Sequence, residues 1–154
     1  MSTNGRGRAA ELAEAPLRID IPPDARWSRT VRERIIAYSL AHGIAPEEAS
    51  EFVTAVAEAV ANAVEHARTA RAIEVTCSLD DDRLSATVVD YGIGFSPDAL
   101  REPRLPAPLA ERGRGIPIMR RCSHFFAIDS APGKGTSVTL GRYLDEDDGR
   151  MLAS

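Results

Sequence analysis

Lysine is nearly missing from this chain: Lys134 is the only one in 154 residues, and arginine supplies almost all the positive charge. With 23 acidic residues the formal charge is -4, which argues against a nucleic-acid backbone as the main partner. Cysteine is scarce as well. Cys77 and Cys122 lie far apart and form no C-x-x-C pair, so neither a zinc site nor a disulfide framework is indicated, and a reducing cytoplasm is the expected setting. No apolar run approaches the roughly 18 residues of a membrane span, and the N-terminus lacks an apolar signal core. Two nucleotide motifs are absent on spelling. A Walker A loop needs Gly where Ile128 stands and Ser or Thr where Gly135 follows Lys134. A dinucleotide fingerprint needs Gly at Pro97 or Ile118. His42, His66 and His124 are scattered, assemble no metal cluster or Ser-His-Asp set, and read as surface or partly buried histidines. What remains, 44% hydrophobic and 27% charged residues, describes one ordinary globular domain.

The strongest local signal is EFVTAVAEAVANAVEHA, Glu51 to Ala67. Ala49, Phe52, Val53, Val56, Val60, Ala63, Val64 and Ala67 recur at helical spacing on one arc, which should face a core. Glu51, Thr54, Glu58, Asn62 and Glu65 occupy the opposite arc. Glu58 and Asn62 are one turn apart, so a carboxylate and a carboxamide point the same way from a rigid rod, an arrangement suited to a hydrated Mg²⁺ beside a general base. A plain wet face is the other reading of the same stripe.

Residues 1–15 have no apolar period and read as a loose tail. Leu17, Ile19 and Ile21 alternate with polar neighbours as a strand, ended by Pro22-Pro23. Asp24 is placed to cap a helix through about His42, with Val31, Ile35, Ile36, Tyr38 and Leu40 as its apolar members and Gly43 closing it. Pro46, Glu47 and Glu48 open the long helix. Ile73 to Ser78 and Leu84 to Val88 alternate as two strands around the turn Asp80-Asp81-Asp82. From Ser96 to Arg112, Pro97, Pro103, Pro106 and Pro108 rule out a long helix, and the segment reads as a mobile loop. A short helix from about Gly115 to Cys122 follows, then strands Phe125 to Asp129 and Ser137 to Tyr143 around APGKG. The expected domain is 16–144, with 145–154 frayed. This order indicates an α+β two-layer sandwich, helices covering one face of a mixed, mainly antiparallel sheet.

Three glycine-bearing boxes carry chemistry. Asp90-Tyr91-Gly92-Ile93-Gly94 sits where a strand leaves the sheet: the carboxylate suits an exocyclic amine, and glycines let backbone lie against a flat ligand. A strand-terminating turn needs the same residues. Gly113-Arg114-Gly115 before a helix offers backbone N–H groups and a guanidinium to a polyphosphate, or is only a flexible loop. Gly133-Lys134-Gly135-Thr136 is most simply a hairpin turn.

Taken in order, E-x-x-x-N, D-x-G-x-G, G-x-G and G-T resemble the ATP-binding fold shared by gyrase, heat-shock chaperones, histidine kinases and mismatch-repair ATPases. The wording Glu58 to Ala67, with ERGRGIPIMRR after the loop, resembles the bacterial anti-sigma-factor serine kinases over roughly Leu17 to Tyr143. That resemblance implies ATP and Mg²⁺ as cofactors, with Asn62 completing the metal shell and Glu58 taking the proton from the attacking hydroxyl. It implies Asp90 on the adenine amine, Gly92 and Gly94 along the adenine wall, Thr136 supporting the adenine end, and Gly113, Arg114 and Gly115 along the phosphates. The implied reaction is phosphoryl transfer to a serine of an anti-anti-sigma factor by a protein that also sequesters a sigma factor, with a homodimer expected. Two other readings stay open: a nucleotide-gated binder with little catalysis, and a switch-type kinase acting on a stress-signalling scaffold. The proline-rich loop and Pro117 depart from the family pattern.

Overall fold

The computed structural model describes residues 15–80, 82–96 and 117–144; the expected proline-rich loop, the expected N- and C-terminal tails and Asp81 fall at least in part outside the described residues. Five strands form one sheet: β1 Leu17–Ile21, β2 Ile73–Asp80, β3 Arg83–Asp90, β4 Phe125–Ser130 and β5 Thr136–Tyr143. Their order is β1-β2-β3-β5-β4, and every pairing is antiparallel. The α+β sandwich is therefore as expected, except that no parallel pair occurs among the described strands. Each strand alternates, and one face is apolar: Ile19, Ile21, Ile73, Val75, Leu84, Ala86, Val88, Val138 and Leu140 are buried. The outward phase is Thr76, Ser78, Ser85, Thr87 and Thr139, paired across strands by Ser78–Ser85 and Thr87–Thr139 hydroxyl contacts.

Helices α1 (Ser28–Ala41) and α2 (Pro46–His66) cover the apolar face. Asp24 does cap, but it caps a 3₁₀ turn: its carboxylate accepts from Arg26 N–H, the turn spans Ala25–Trp27, and the α-helix begins only at Ser28. Leu40, expected on the apolar side, is 44% exposed. Ser39 takes the inward position instead, its hydroxyl donating to the Ile35 carbonyl at 2.8 Å, which satisfies the only polar atom it brings inside. Gly43, at φ 79°, ends the helix in a conformation that penalises other residues.

Pro46 is at the start of α2, with Glu47 and Glu48 in its first turn. The helix packs on β2, β3 and β5 and also on α1, so its buried surface is wider than one arc: Ala55, Ala57 and Ala59 join the expected apolar residues, while Val64 is only half-buried. Alanines let backbone approach from two directions where larger side chains would hold it off. Phe52 is fully buried, and Phe52→Ala is expected to lower stability by about 3–5 kcal/mol. Urea unfolding checks this; a loss under about 1 kcal/mol would show that the core closes around the gap.

Near the strand edge, Arg142 is 2.7 Å from Glu51 and 3.3 Å from Glu48 and donates to the Cys122 carbonyl, tying β5 to the start of α2. Both cysteines are free, and burial pushes the Cys77 thiol up to about 12. Because the native state keeps a proton that an unfolded thiol gives up near 9.0, this contribution is intact below pH 9 and drains away as pH rises toward 12. A thiol reagent at pH 8 is expected to label the half-buried Cys122 in the folded protein and Cys77 only in denaturant. Equal labelling rates would contradict the buried placement. Of the histidines, His66 is buried rather than near the surface, and the described residues hold no group of three or more metal-ligating side chains.

Candidate functional site

Strand register builds the site. Because β5 lies between β3 and β4, the last residue of β3, Asp90, stands opposite the first of β5, Thr136, and Thr136 stands opposite the last of β4, Ser130. These three lie in one row across the end of the sheet, on its inward face, and all are buried. Polar side chains thus replace the hydrophobic ones where the apolar face runs out.

Helix α2 crosses above that row. Ala59, Asn62 and Ala63 from the helix, Asp90 and Thr136 from the sheet, and Phe95 line a small recess that opens to solvent. Its floor is hydrophobic, formed by Val88, Ile128, Val138 and Met119. A largely apolar lining that carries one carboxyl, one hydroxyl and one carboxamide combines burial with a few orienting polar groups, as small-molecule sites do.

The D-x-G-x-G turn is stitched to both neighbours. Ile93 N–H donates to the Ala67 carbonyl at 3.0 Å, and Gly133 N–H donates to the Ile93 carbonyl at 2.6 Å. Gly92 N–H donates to Asp90 Oδ1 at 3.0 Å, fixing the carboxylate. Gly92 has to be glycine, since a Cβ there would sit 2.1 Å from the Ala67 carbonyl oxygen. Gly94 has φ 63° and equally little room, 2.1 Å from the Ala131 carbonyl oxygen. The turn therefore joins the end of α2 to the β4–β5 hairpin.

The sequence profile of the histidine kinase-like ATPase domain matches residues 21–142, the span that contains the row, the helix and the turn. The chain belongs to the histidine kinase-like ATPase family. Relatives include the anti-sigma F factor of Oceanobacillus iheyensis, 34% identical over 106 residues that make up 65% of this chain and 73% of that protein. The anti-sigma F factor of Bacillus subtilis is 32% identical over 108 residues, again 65% of this chain and 73% of that one. Among solved structures, the RsbU and RsbW domains of a Mycobacterium tuberculosis protein share the fold with a TM-score of 0.65 and 24% identity, over 84% of this chain and 32% of that longer one. A SiaB–SiaC complex from Pseudomonas aeruginosa gives a TM-score of 0.63 at 14% identity, over 88% of this chain and 95% of that one. Membership in this ATPase family implies ATP binding, and among the described residues no helix is long and apolar enough to cross a membrane.

Within this family frame the expected site residues divide into three groups. Asn62, Asp90 and Thr136 line the recess together, and Gly92 and Gly94 lie in the turn between the lining residues Asp90 and Phe95 without lining it themselves. Glu58 is half-buried one turn before Asn62 but does not line the recess. Gly113, Arg114 and Gly115 lie outside the described residues.

Beside the turn, Tyr91 donates to Glu74 Oε2 at 2.8 Å and lies under the Arg71 guanidinium at 4.2 Å. That hydrogen bond to a carboxylate, more than burial, raises the Tyr91 pKa. Contributors that escaped the sequence reading include Phe95, Met119 and Ser130. Phe95 carried no pattern. Ser130 carried one small signal, a polar residue in phase with the inward Phe126 and Ile128.

Proposed function

We propose that this chain is an anti-sigma factor whose ATPase-family domain transfers phosphate from Mg-ATP to a serine of an anti-anti-sigma factor, and that it sequesters a sigma factor in the cytoplasm. The observation that carries the nucleotide part is the convergence of Asn62, Asp90 and Thr136 on one apolar recess. The partners are argued from the relatives, which are anti-sigma F factors.

In this reading the adenine lies in the slot with its amine toward Asp90 and Thr136, while Gly92 and Gly94 bring backbone against the ring. The residues present fit a magnesium ion: Asn62, half-buried and lining the recess, offers a hard amide oxygen of the kind Mg²⁺ takes. When bound, the ion would neutralise charge on the phosphates. Glu58 accepts the proton of the partner's serine hydroxyl as the serine oxygen bonds to the γ-phosphorus and the bond to the β-phosphate bridging oxygen breaks. Gly113, Arg114 and Gly115 are assigned to the phosphates from their sequence pattern.

Glu58 standing outside the recess lining favours a second reading, a nucleotide-gated binder that holds its partner with little catalysis. One incubation separates the two: full chain, labelled Mg-ATP and an anti-anti-sigma factor from the same genome, analysed for phosphoserine. Phosphoserine on that factor supports the kinase. Tight nucleotide binding without any transfer supports the binder.

A further inference from the structure

Three contacts meet at the buried Ser130 hydroxyl. Its Oγ lies 2.9 Å from the Phe95 amide nitrogen, 3.1 Å from the Gly135 carbonyl oxygen and 2.8 Å from Thr136 Oγ1. The amide can only donate and the carbonyl can only accept, whereas a serine hydroxyl has one proton and two lone pairs. The proton therefore goes to Gly135 and one lone pair takes the Phe95 N–H. All three contacts are satisfied together only if the second lone pair takes the proton of Thr136. The opposite arrangement, Ser130 donating to Thr136, leaves the Gly135 contact unmade, and buried polar groups seldom forgo a partner within reach.

With its proton committed to Ser130, the hydroxyl of Thr136, a residue of the recess lining, keeps only lone pairs to offer a ligand. Asp90, its cross-strand partner, adds a carboxylate that also accepts. We infer that Ser130 is a positioning residue that sets the polarity of this wall, making the Asp90–Thr136 end select a 6-amino purine and reject a 6-oxo purine. The inference rests on the nucleotide reading of the recess. An amino group brings N–H to two acceptors, whereas a carbonyl oxygen brings lone pairs against lone pairs, and sites of fixed hydrogen-bond polarity discriminate strongly.

The test is calorimetry on the full chain with ADP and inosine diphosphate, for wild type, Ser130→Ala, the similarly sized Ser130→Cys and Ser130→Thr. Wild type is expected to prefer ADP by about 10²-fold or more. Alanine removes the acceptor for the Thr136 proton and a thiol replaces it poorly, so both variants should narrow that ratio about tenfold, chiefly through tighter inosine diphosphate binding. Threonine, which keeps the hydroxyl, should restore the preference. If Ser130→Ala does not fold, the cysteine and threonine variants decide. A ratio unchanged in the folded variants, with both nucleotides weakened alike, would reduce Ser130 to a packing residue and overturn the inference. A wild type that binds neither nucleotide would instead overturn the reading of the recess itself, and the inference with it.

Discussion

Glu58→Ala is expected to slow the proposed phosphoryl transfer to a partner serine by about 10²–10⁴-fold while leaving ADP affinity within about twofold. The separation follows from where the residue stands. Glu58 is half-buried on α2, one turn before Asn62, but is absent from the recess lining shared by Asn62, Asp90 and Thr136. Truncating it removes nothing that the nucleotide base would touch, whereas the partner's hydroxyl loses the group assigned to take its proton. Glu58→Gln keeps the shape without the basicity and should be as slow as alanine. Single-turnover transfer from labelled ATP, beside calorimetry on the same samples, reads both quantities. Undiminished transfer in either variant would remove the general-base assignment.

Gly92→Ala is expected to lower stability by about 2–4 kcal/mol and to reduce nucleotide affinity by about 10²-fold or more. The new Cβ would meet the Ala67 carbonyl oxygen at 2.1 Å and the Ala67 carbonyl carbon and Cα at 2.5 Å. All three are backbone atoms, so no rotamer change relieves the clash. Relief comes only by drawing the turn away from the end of α2, which breaks the Ile93 to Ala67 hydrogen bond and shifts the Asp90 carboxylate held by Gly92 N–H. Gly133→Ala is the control, since a Cβ there meets nothing within 4 Å. It should lose only the roughly 1 kcal/mol that a left-handed φ imposes on a side chain. Thermal melts with and without ADP measure both effects, and equal losses in the two variants would refute the steric account.

Local pattern alone located most of the secondary structure, because alternation and helical period record which side of each segment meets the core. The strand Leu17–Ile21, the two strands on either side of the acidic run Asp80-Asp81-Asp82, though Asp80 itself belongs to the first of them, and the opening of α2 at Pro46 were all legible. The misreadings have local causes. Asp24 looks like an α-helix cap because its side chain caps in the same way whether an α-turn or a 3₁₀ turn follows. Leu40 looks buried by composition, yet Ser39 fits inside because its hydroxyl finds a carbonyl one turn back. Asn62 and Glu58 both sit on the polar stripe of α2, and nothing in their spacing says that only Asn62 meets the recess.

Spelling and order along the chain determined the family, the α+β architecture and the residue types available to a nucleotide, since each box is a local property that survives without knowledge of its neighbours. Tertiary structure decided which of those residues meet. The insertion of β5 between β3 and β4 put Asp90, Thr136 and Ser130 in one row, and α2 laid Asn62 over them. Strand order is set by packing the whole sheet against the helices, a choice among pairings far apart in sequence that no local period encodes.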